Sequence, residues 1–138
     1  SPLRPERFVT QKVVRAARRI AGGSGERLHL GNLDARRDWG WAPDYVDAMV
    51  RAARHPEPDD YVIATGTSHT VSEFVAAAFA AAGIENWERY VRVDPAFVRP
   101  VDAVELTGDA GRARSRLGWT PTVGFDEVVA RMVHADLQ

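Results

Sequence analysis

Five basic residues in this 138-residue chain are candidates for gripping an anion: Arg4, Lys12, Arg36, Arg37 and Arg99. A guanidinium is a planar two-pronged donor that matches phosphate oxygens with charge-assisted hydrogen bonds. Lys12 is the only lysine; every other basic side chain is an arginine. Arg36, Arg37 and Asp38 stand where a short apolar stretch, Leu28 to Leu30, gives way to the next element. Charged side chains at such a junction can be held rigidly while facing a cleft. Arg99 is followed by Pro100, which stiffens the backbone, and then by Asp102 and Glu105. An arginine for phosphate beside an acid for sugar hydroxyls is what a nucleotide-sugar pocket needs. Taken singly, each of these charges is more often solvated surface. Only the set points to a site.

Other chemistries lack their parts. A dinucleotide loop needs G-x-G-x-x-G after a strand and before a helix. The one glycine cluster, Gly22, Gly23 and Gly25, follows a predicted helix and reads as its stop. Tyr45, Tyr61 and Tyr90 have no lysine four residues on, and no G-x-S-x-G elbow supports a hydrolase built on Ser68-His69. His29, His55, His69 and His134 have no metal-ligand spacing. There is no cysteine, hence no disulfide and no thiolate metal site. A net charge of −1 disfavours a general nucleic-acid binder, including one built on the basic stretch Lys12 to Arg19. No run is apolar and long enough to span a bilayer, no signal peptide is read, and a cytoplasmic protein is expected.

The elements that must position the basic set follow from periodicity. Ser1 to Arg7 reads as an extended lead-in punctuated by Pro2 and Pro5. Phe8 to Ala21 reads as a helix, with Val13, Val14, Ala17 and Ile20 on one face. Leu28 to Leu30 is a short strand, and Asp38 to Trp41 a second extended piece. Pro43 opens a helix that runs to about Arg54. Tyr61 to Thr65 reads as the clearest strand, apolar enough to be buried on both faces. Thr70-Val71-Ser72-Glu73 is a capping box for an alanine-rich helix that stops at Gly83. A strand is expected at Tyr90 to Val93, a short helix at Ala110 to Leu117, and a closing amphipathic helix from Phe125 to about Leu137. The expected class is α/β: one small, helix-rich accessory domain over residues 1–138, with a few short strands. The chain opens on Ser1-Pro2, without an initiator methionine, and reads as a piece of something longer.

Taken together, these residues resemble the C-terminal half of the GDP-mannose 4,6-dehydratases, which are extended short-chain dehydrogenase/reductases with a Rossmann-like fold. The resemblance runs nearly end to end. It includes F-V-T-Q-K at Phe8 to Lys12, L-G-N-L-D-A-R-R-D-W-G at Leu30 to Gly40 and A-P-D-Y-V-D-A-M at Ala42 to Met49. It continues through Y-V-I-A-T-G at Tyr61 to Gly66, R-P at Arg99-Pro100, L-T-G-D at Leu106 to Asp109 and M-V-H-A-D at Met132 to Asp136. The L-G-W-T-P at Leu117 to Pro121 is common to extended nucleotide-sugar enzymes and marks only the superfamily. The Leu30 to Gly40 run and the M-V-H-A-D ending are narrower.

The resemblance implies conversion of GDP-mannose to GDP-4-keto-6-deoxymannose with NADP. It implies that the NADP-binding Rossmann domain and the catalytic Thr, Glu, Tyr and Lys lie upstream, leaving this chain as the substrate domain, inactive alone. Arg4 would contact the cofactor near its nicotinamide end. Val9 and Lys12 would lie along GDP, Lys12 near phosphate. Arg37 would bind the diphosphate, Arg99 the diphosphate or ribose, and Asp102 the ribose hydroxyls. Asn32 and Asp34 would line the guanine pocket. A homo-oligomer, dimer or tetramer, is implied for the complete enzyme. Two departures stand out: Ser1-Pro2-Leu3-Arg4-Pro5 where the family usually has S-P-R-R-G, and Asp102 where it usually has Glu. Another nucleotide-sugar epimerase or dehydratase, or a stand-alone nucleotide-sugar-binding module, are the alternatives.

Overall fold

A computed structural model describes residues 1–98 and 105–135. Its elements in order are α1 (Val9–Ala21), β1 (Leu28–Leu30), β2 (Arg36–Arg37), α2 (Ala42–Arg54), β3 (His69–Thr70), α3 (Val71–Ala81), β4 (Val91–Val93), β5 (Glu105–Leu106), α4 (Gly111–Leu117) and α5 (Phe125–His134). Two single 3₁₀ turns, Trp87–Arg89 and Pro95–Phe97, flank β4.

Three helices build the main core. α1, α3 and α5 bury Val13, Val14, Ala17, Phe74, Val75, Phe79, Val129 and Met132 against one another. Their apolar residues recur every three to four positions, so each helix presents one stripe to the others. α3 starts on a complete capping box. Thr70 Oγ1 accepts from the Glu73 N–H, and Glu73 accepts from the Thr70 N–H. The polar lid of the core is aromatic: Trp39 packs on Phe74 at 5.0 Å, and His69 stacks on Phe125 at 3.8 Å. A second, smaller cluster joins α2 to α4 through Ala48, Ala110, Ala113 and Trp119. It is pinned by the Trp119 indole N–H, which donates to the Asp44 carbonyl at 2.8 Å, and by the Asp44 carboxylate, which accepts from Thr122.

The strands are short, as expected for a chain with few runs of β-formers. β1 and β4 pair in parallel, Leu28 opposite Val91 and Leu30 opposite Val93. β2 is the centre of a three-stranded sheet, antiparallel to β3 and parallel to β5.

Three expectations from sequence need correction. Ser1 to Arg7 is not extended. It folds into two successive turns, closed by Arg4 N–H to the Ser1 carbonyl and Phe8 N–H to the Pro5 carbonyl. Pro2 occupies the turn position where its fixed φ is an advantage. The second strand lies at Arg36–Arg37 rather than Asp38 to Trp41. Asp38 still donates its N–H to Leu106, but at Gly40 the chain passes beneath the Tyr45 ring, where a Cβ would meet ring carbon at 2.5 Å, and Trp41 already caps α2. Tyr61 to Thr65 forms no strand among the described residues, and Val62 is exposed rather than buried. The amides of Thr65 and Gly66 turn instead to the Asp38 carboxylate.

Candidate functional site

One cleft of about 440 Å³ opens where the lead-in, the start of α1, the end of β1 and β2 converge. The sequence explains each wall. The two proline-set turns fold Arg4 and Arg7 back over the first turn of α1, and Phe8 lies beneath both, 4.1 Å from the Arg4 guanidinium and 5.2 Å from that of Arg7. A cation over an aromatic face is electrostatically attracted, so the ring holds both arginines near the rim. α1 contributes Val9, Thr10 and Lys12. β1 delivers Leu30, Gly31 and Asn32. A Cβ at Gly31 would sit 2.3 Å from the Phe97 carbonyl, so only glycine lets the 95–97 turn close over this corner. The floor is apolar, with Trp39, Phe74, Val128 and Met132.

Five residues singled out from sequence meet here: Arg4, Val9, Lys12, Asn32 and Arg37 all line the cleft. Lys12 is braced twice. Its Nζ donates to the His29 carbonyl at 2.6 Å and lies 4.2 Å from the Phe97 ring centre. An ammonium has three N–H donors, so this anchoring leaves donors for a ligand. The Asn32 side-chain oxygen accepts the Asp34 N–H at 2.9 Å, which makes a tight turn of the loop after β1. Asp34 itself is exposed and does not line the cleft. Arg37 donates from Nη1 to the Arg36 carbonyl at 2.6 Å. Arg36 points to other partners: Nε to Ser68 Oγ at 3.0 Å, Nη2 to the Ser68 carbonyl at 2.7 Å, and Glu105 at 3.7 Å. Ser68 donates a very short hydrogen bond to Glu105, and this bond, then Thr107 and the Arg36 charge, holds the Glu105 carboxyl below its usual range. Arg36 therefore ties β2 to both flanking strands and leaves Arg37 as the arginine of that pair in the cleft. Arg99 and Asp102 lie outside the described residues.

Arg7 completes the ring and was not expected from sequence. It sits one residue before Phe8 in a stretch read as extended, and only the turns reveal that it faces the cleft. Four cations, Arg4, Arg7, Lys12 and Arg37, line the site, and its described lining contains no carboxylate. The start of α1 adds to the positive field. Phe8 offers no side-chain cap, and the first turn holds no acidic residue. Val9 and Thr10, in the first turn of α1, line the same space, and the positive end of a helix dipole favours an anion nearby.

A cleft with this charge, an apolar floor and an uncapped helix start suits a phosphorylated ligand with a flat or apolar portion. The model of the family described as GDP-mannose 4,6 dehydratase matches residues 1–132. The chain belongs to this family. It is 48% identical along its whole length to GDP-mannose 4,6 dehydratase 1 of Arabidopsis thaliana and 42% identical to the GDP-mannose 4,6 dehydratase of Homo sapiens. It spans 38% and 41% of those two proteins. Among solved structures it superposes on RMD from Pseudomonas aeruginosa complexed with NADPH, with a TM-score of 0.83 at 21% identity. That match covers 94% of this chain and 42% of the other. A dTDP-glucose 4,6-dehydratase from Bacillus anthracis in complex with NAD gives 0.82 at 16% identity, over 96% and 40%. The fold is that of a portion of an extended short-chain dehydrogenase/reductase: helix-rich α/β with a few short strands.

Proposed function

We propose that this chain forms the nucleotide-sugar-binding portion of a GDP-mannose 4,6-dehydratase, the enzyme that converts GDP-mannose to GDP-4-keto-6-deoxymannose. The observation that carries the reading is the convergence of Arg4, Arg7, Lys12 and Arg37 on one cleft with no described carboxylate in its wall. A diphosphate is the part of GDP-mannose that needs such a wall. Arg37 and Lys12 grip the diphosphate, and the α1 start supplies further N–H donors. Val9 and Asn32 lie along the nucleoside. Arg99 and Asp102, outside the described residues, take the ribose and the adjoining phosphate.

The nicotinamide cofactor, read as NADP, would accept a hydride from C4 and return it to C6. Most of its binding surface, and the catalytic Thr, Glu, Tyr and Lys, belong to the rest of the enzyme. This chain fits the cofactor through one residue: Arg4, held over Phe8 at the rim of the cleft, where a guanidinium can reach an amide or phosphate oxygen of a neighbouring ligand. The complete enzyme is read as a cytoplasmic homo-oligomer, dimer or tetramer. Among the described residues no helix is long and apolar enough to cross a membrane.

The test is turnover by the full-length protein. With NADP it converts GDP-mannose to the 4-keto-6-deoxy product, and Arg37→Ala raises KM. A full-length protein that leaves GDP-mannose untouched and converts another nucleotide sugar would refute the substrate assigned here.

A further inference from the structure

Phe97 is 53% exposed, belongs to neither apolar cluster and lies on the cleft wall. An exposed aromatic ring needs no explanation by itself. This one is informative because several independent contacts place it. β1 and β4 pair with Leu30 opposite Val93, and the Asp94 N–H continues the ladder to the Leu30 carbonyl at 2.8 Å. The chain then tightens into the 95–97 turn. Asp94 Oδ1 accepts the Ala96 N–H at 2.9 Å, Pro95 sets φ at the first position, and the Phe97 N–H donates to the Asp94 carbonyl at 3.0 Å. Gly31 lets this turn close over the end of β1, where a Cβ would meet the Phe97 carbonyl at 2.3 Å. The ring centre thereby comes to 4.2 Å from Lys12 Nζ, which also donates to the His29 carbonyl of β1 at 2.6 Å.

Among the described residues the Lys12 ammonium meets no carboxylate; the Phe97 ring and the His29 carbonyl hold it. A lysine stem is flexible and its head strongly hydrated, so an unbraced lysine keeps no single position. The carbonyl fixes one N–H direction, and the negative face of the ring attracts the charge from another. Neither contact neutralises the charge, as a carboxylate would. The ammonium is held in place, still positive, with N–H donors to spare. Fixing a donor before its ligand arrives lowers the ordering cost of binding. We propose that Phe97 is a positioning residue of this cleft: its ring holds the Lys12 ammonium where a ligand phosphate meets it, and it acts through Lys12 rather than by touching a base. The inference rests on the reading of this cleft as the diphosphate site.

Lys12 is the only lysine, so NMR of the chain labelled with carbon-enriched lysine gives one ε-methylene signal. The ring current should move that signal upfield in the parent. Phe97→Leu should return it to the position of free lysine, and Phe97→Tyr should keep it shifted. Affinity is read with two probes, inorganic pyrophosphate and GDP. Phe97→Leu should weaken both by about 2- to 5-fold, the worth of one cation–ring contact near water, while Phe97→Tyr binds as the parent does. Because Phe97 is exposed, Phe97→Leu should melt with the parent. Lys12→Met removes the charge, and in that background Phe97→Leu should change neither affinity, as expected of residues that act as a unit. Gly31→Ala keeps the ring but displaces its turn, and should lower pyrophosphate affinity as Phe97→Leu does. Unchanged pyrophosphate affinity in Phe97→Leu would overturn the inference, and a loss confined to GDP would assign the ring to the base instead. An unshifted lysine signal in the parent, or an equal loss in the Lys12→Met background, would also overturn it. Those results leave the diphosphate reading standing. A parent chain that binds neither probe sinks that reading, and the role of Phe97 with it.

Discussion

Asp38 is the residue through which the loop at Thr65 and Gly66 holds the end of β2, and hence the aim of Arg37. Its Oδ1 accepts from the Thr65 N–H at 3.1 Å and the Thr65 hydroxyl at 2.7 Å, and its Oδ2 accepts from the Gly66 N–H at 2.9 Å. Its own N–H donates to Leu106, extending the β2–β5 pairing by one residue. Asp38→Ala removes all three hydrogen bonds. The Gly66 bond is exposed, so water replaces it at small cost. The two bonds to Thr65 are partly buried, and hydrogen bonds of that kind are worth about 1 to 1.5 kcal/mol each. The expected loss is therefore about 2 to 3 kcal/mol, which lowers Tm by roughly 8 °C for a chain of this size. Asp38→Asn can keep its oxygen on Thr65 and lose only the exposed Gly66 bond, for about 0.5 kcal/mol or less. A second readout is independent of stability. Tyr45 is held above its ordinary phenol range first by burial and then by the negative charges of Asp38 and Asp44. Asp38→Asn removes one of those charges, so the Tyr45 titration moves down toward the usual value. Urea denaturation and the ultraviolet titration of tyrosine measure the two effects. Asp38→Ala with unchanged stability and an unmoved Tyr45 titration would refute the anchor.

Other consequences follow from the same contacts. Phe74 is almost fully buried between Trp39 and the core, so Phe74→Ala should cost about 3 to 5 kcal/mol by denaturant midpoint. Thr70→Ala removes one half of the capping box and should cost about 1 kcal/mol, with α3 fraying first in amide exchange. Glu73 and Glu105 are held below the ordinary value of 4.5, the first mainly by the Thr70 N–H and the second mainly by the Ser68 hydroxyl. A carboxyl with a depressed folded pKa contributes stability that is present above its unfolded value and lost as pH falls through its folded one. The urea midpoint should therefore decline as pH drops below about 4.5, less steeply in Ser68→Ala. A midpoint that rises on acidification would contradict both contacts.

The helices were readable because their signals are local. Apolar spacing marked α1 and α5, Thr70 and Glu73 marked the start of α3, and Gly83 and Gly118 marked two ends with positive φ. The cleft was readable in part. Arg4, Val9, Lys12, Asn32 and Arg37 come together although α1 separates β1 and β2 from the lead-in in sequence. The motifs name those five as a set; spacing alone leaves Arg4, Lys12 and Arg37 as surface charges. Arg7 carries no local signal in the sequence, because nothing near it announces that two turns fold the lead-in back. The resemblance puts Asp34 beside Asn32 in the guanine pocket, whereas in the structure the Asp34 N–H turns to the Asn32 side-chain oxygen and Asp34 is exposed outside the cleft lining. Tyr61 to Thr65 read as a buried strand from composition. Composition reports what a segment can pair with. In this chain the edge of that segment meets no strand among the described residues.

The most direct test of the cationic cleft is an NMR titration of the 138-residue chain with GDP, followed by GMP. The account predicts shifts concentrated at Arg4, Arg7, Val9, Thr10, Lys12, Gly31, Asn32 and Arg37. Binding should weaken with added salt, because exposed charges are screened. GMP should bind less tightly, and Arg37→Ala should lower affinity for GDP by about 10-fold or more, the worth of one charge-assisted phosphate contact. No shifts in the cleft, or an Arg37→Ala chain that binds GDP as tightly as the parent, would contradict the claim that this cleft holds the diphosphate.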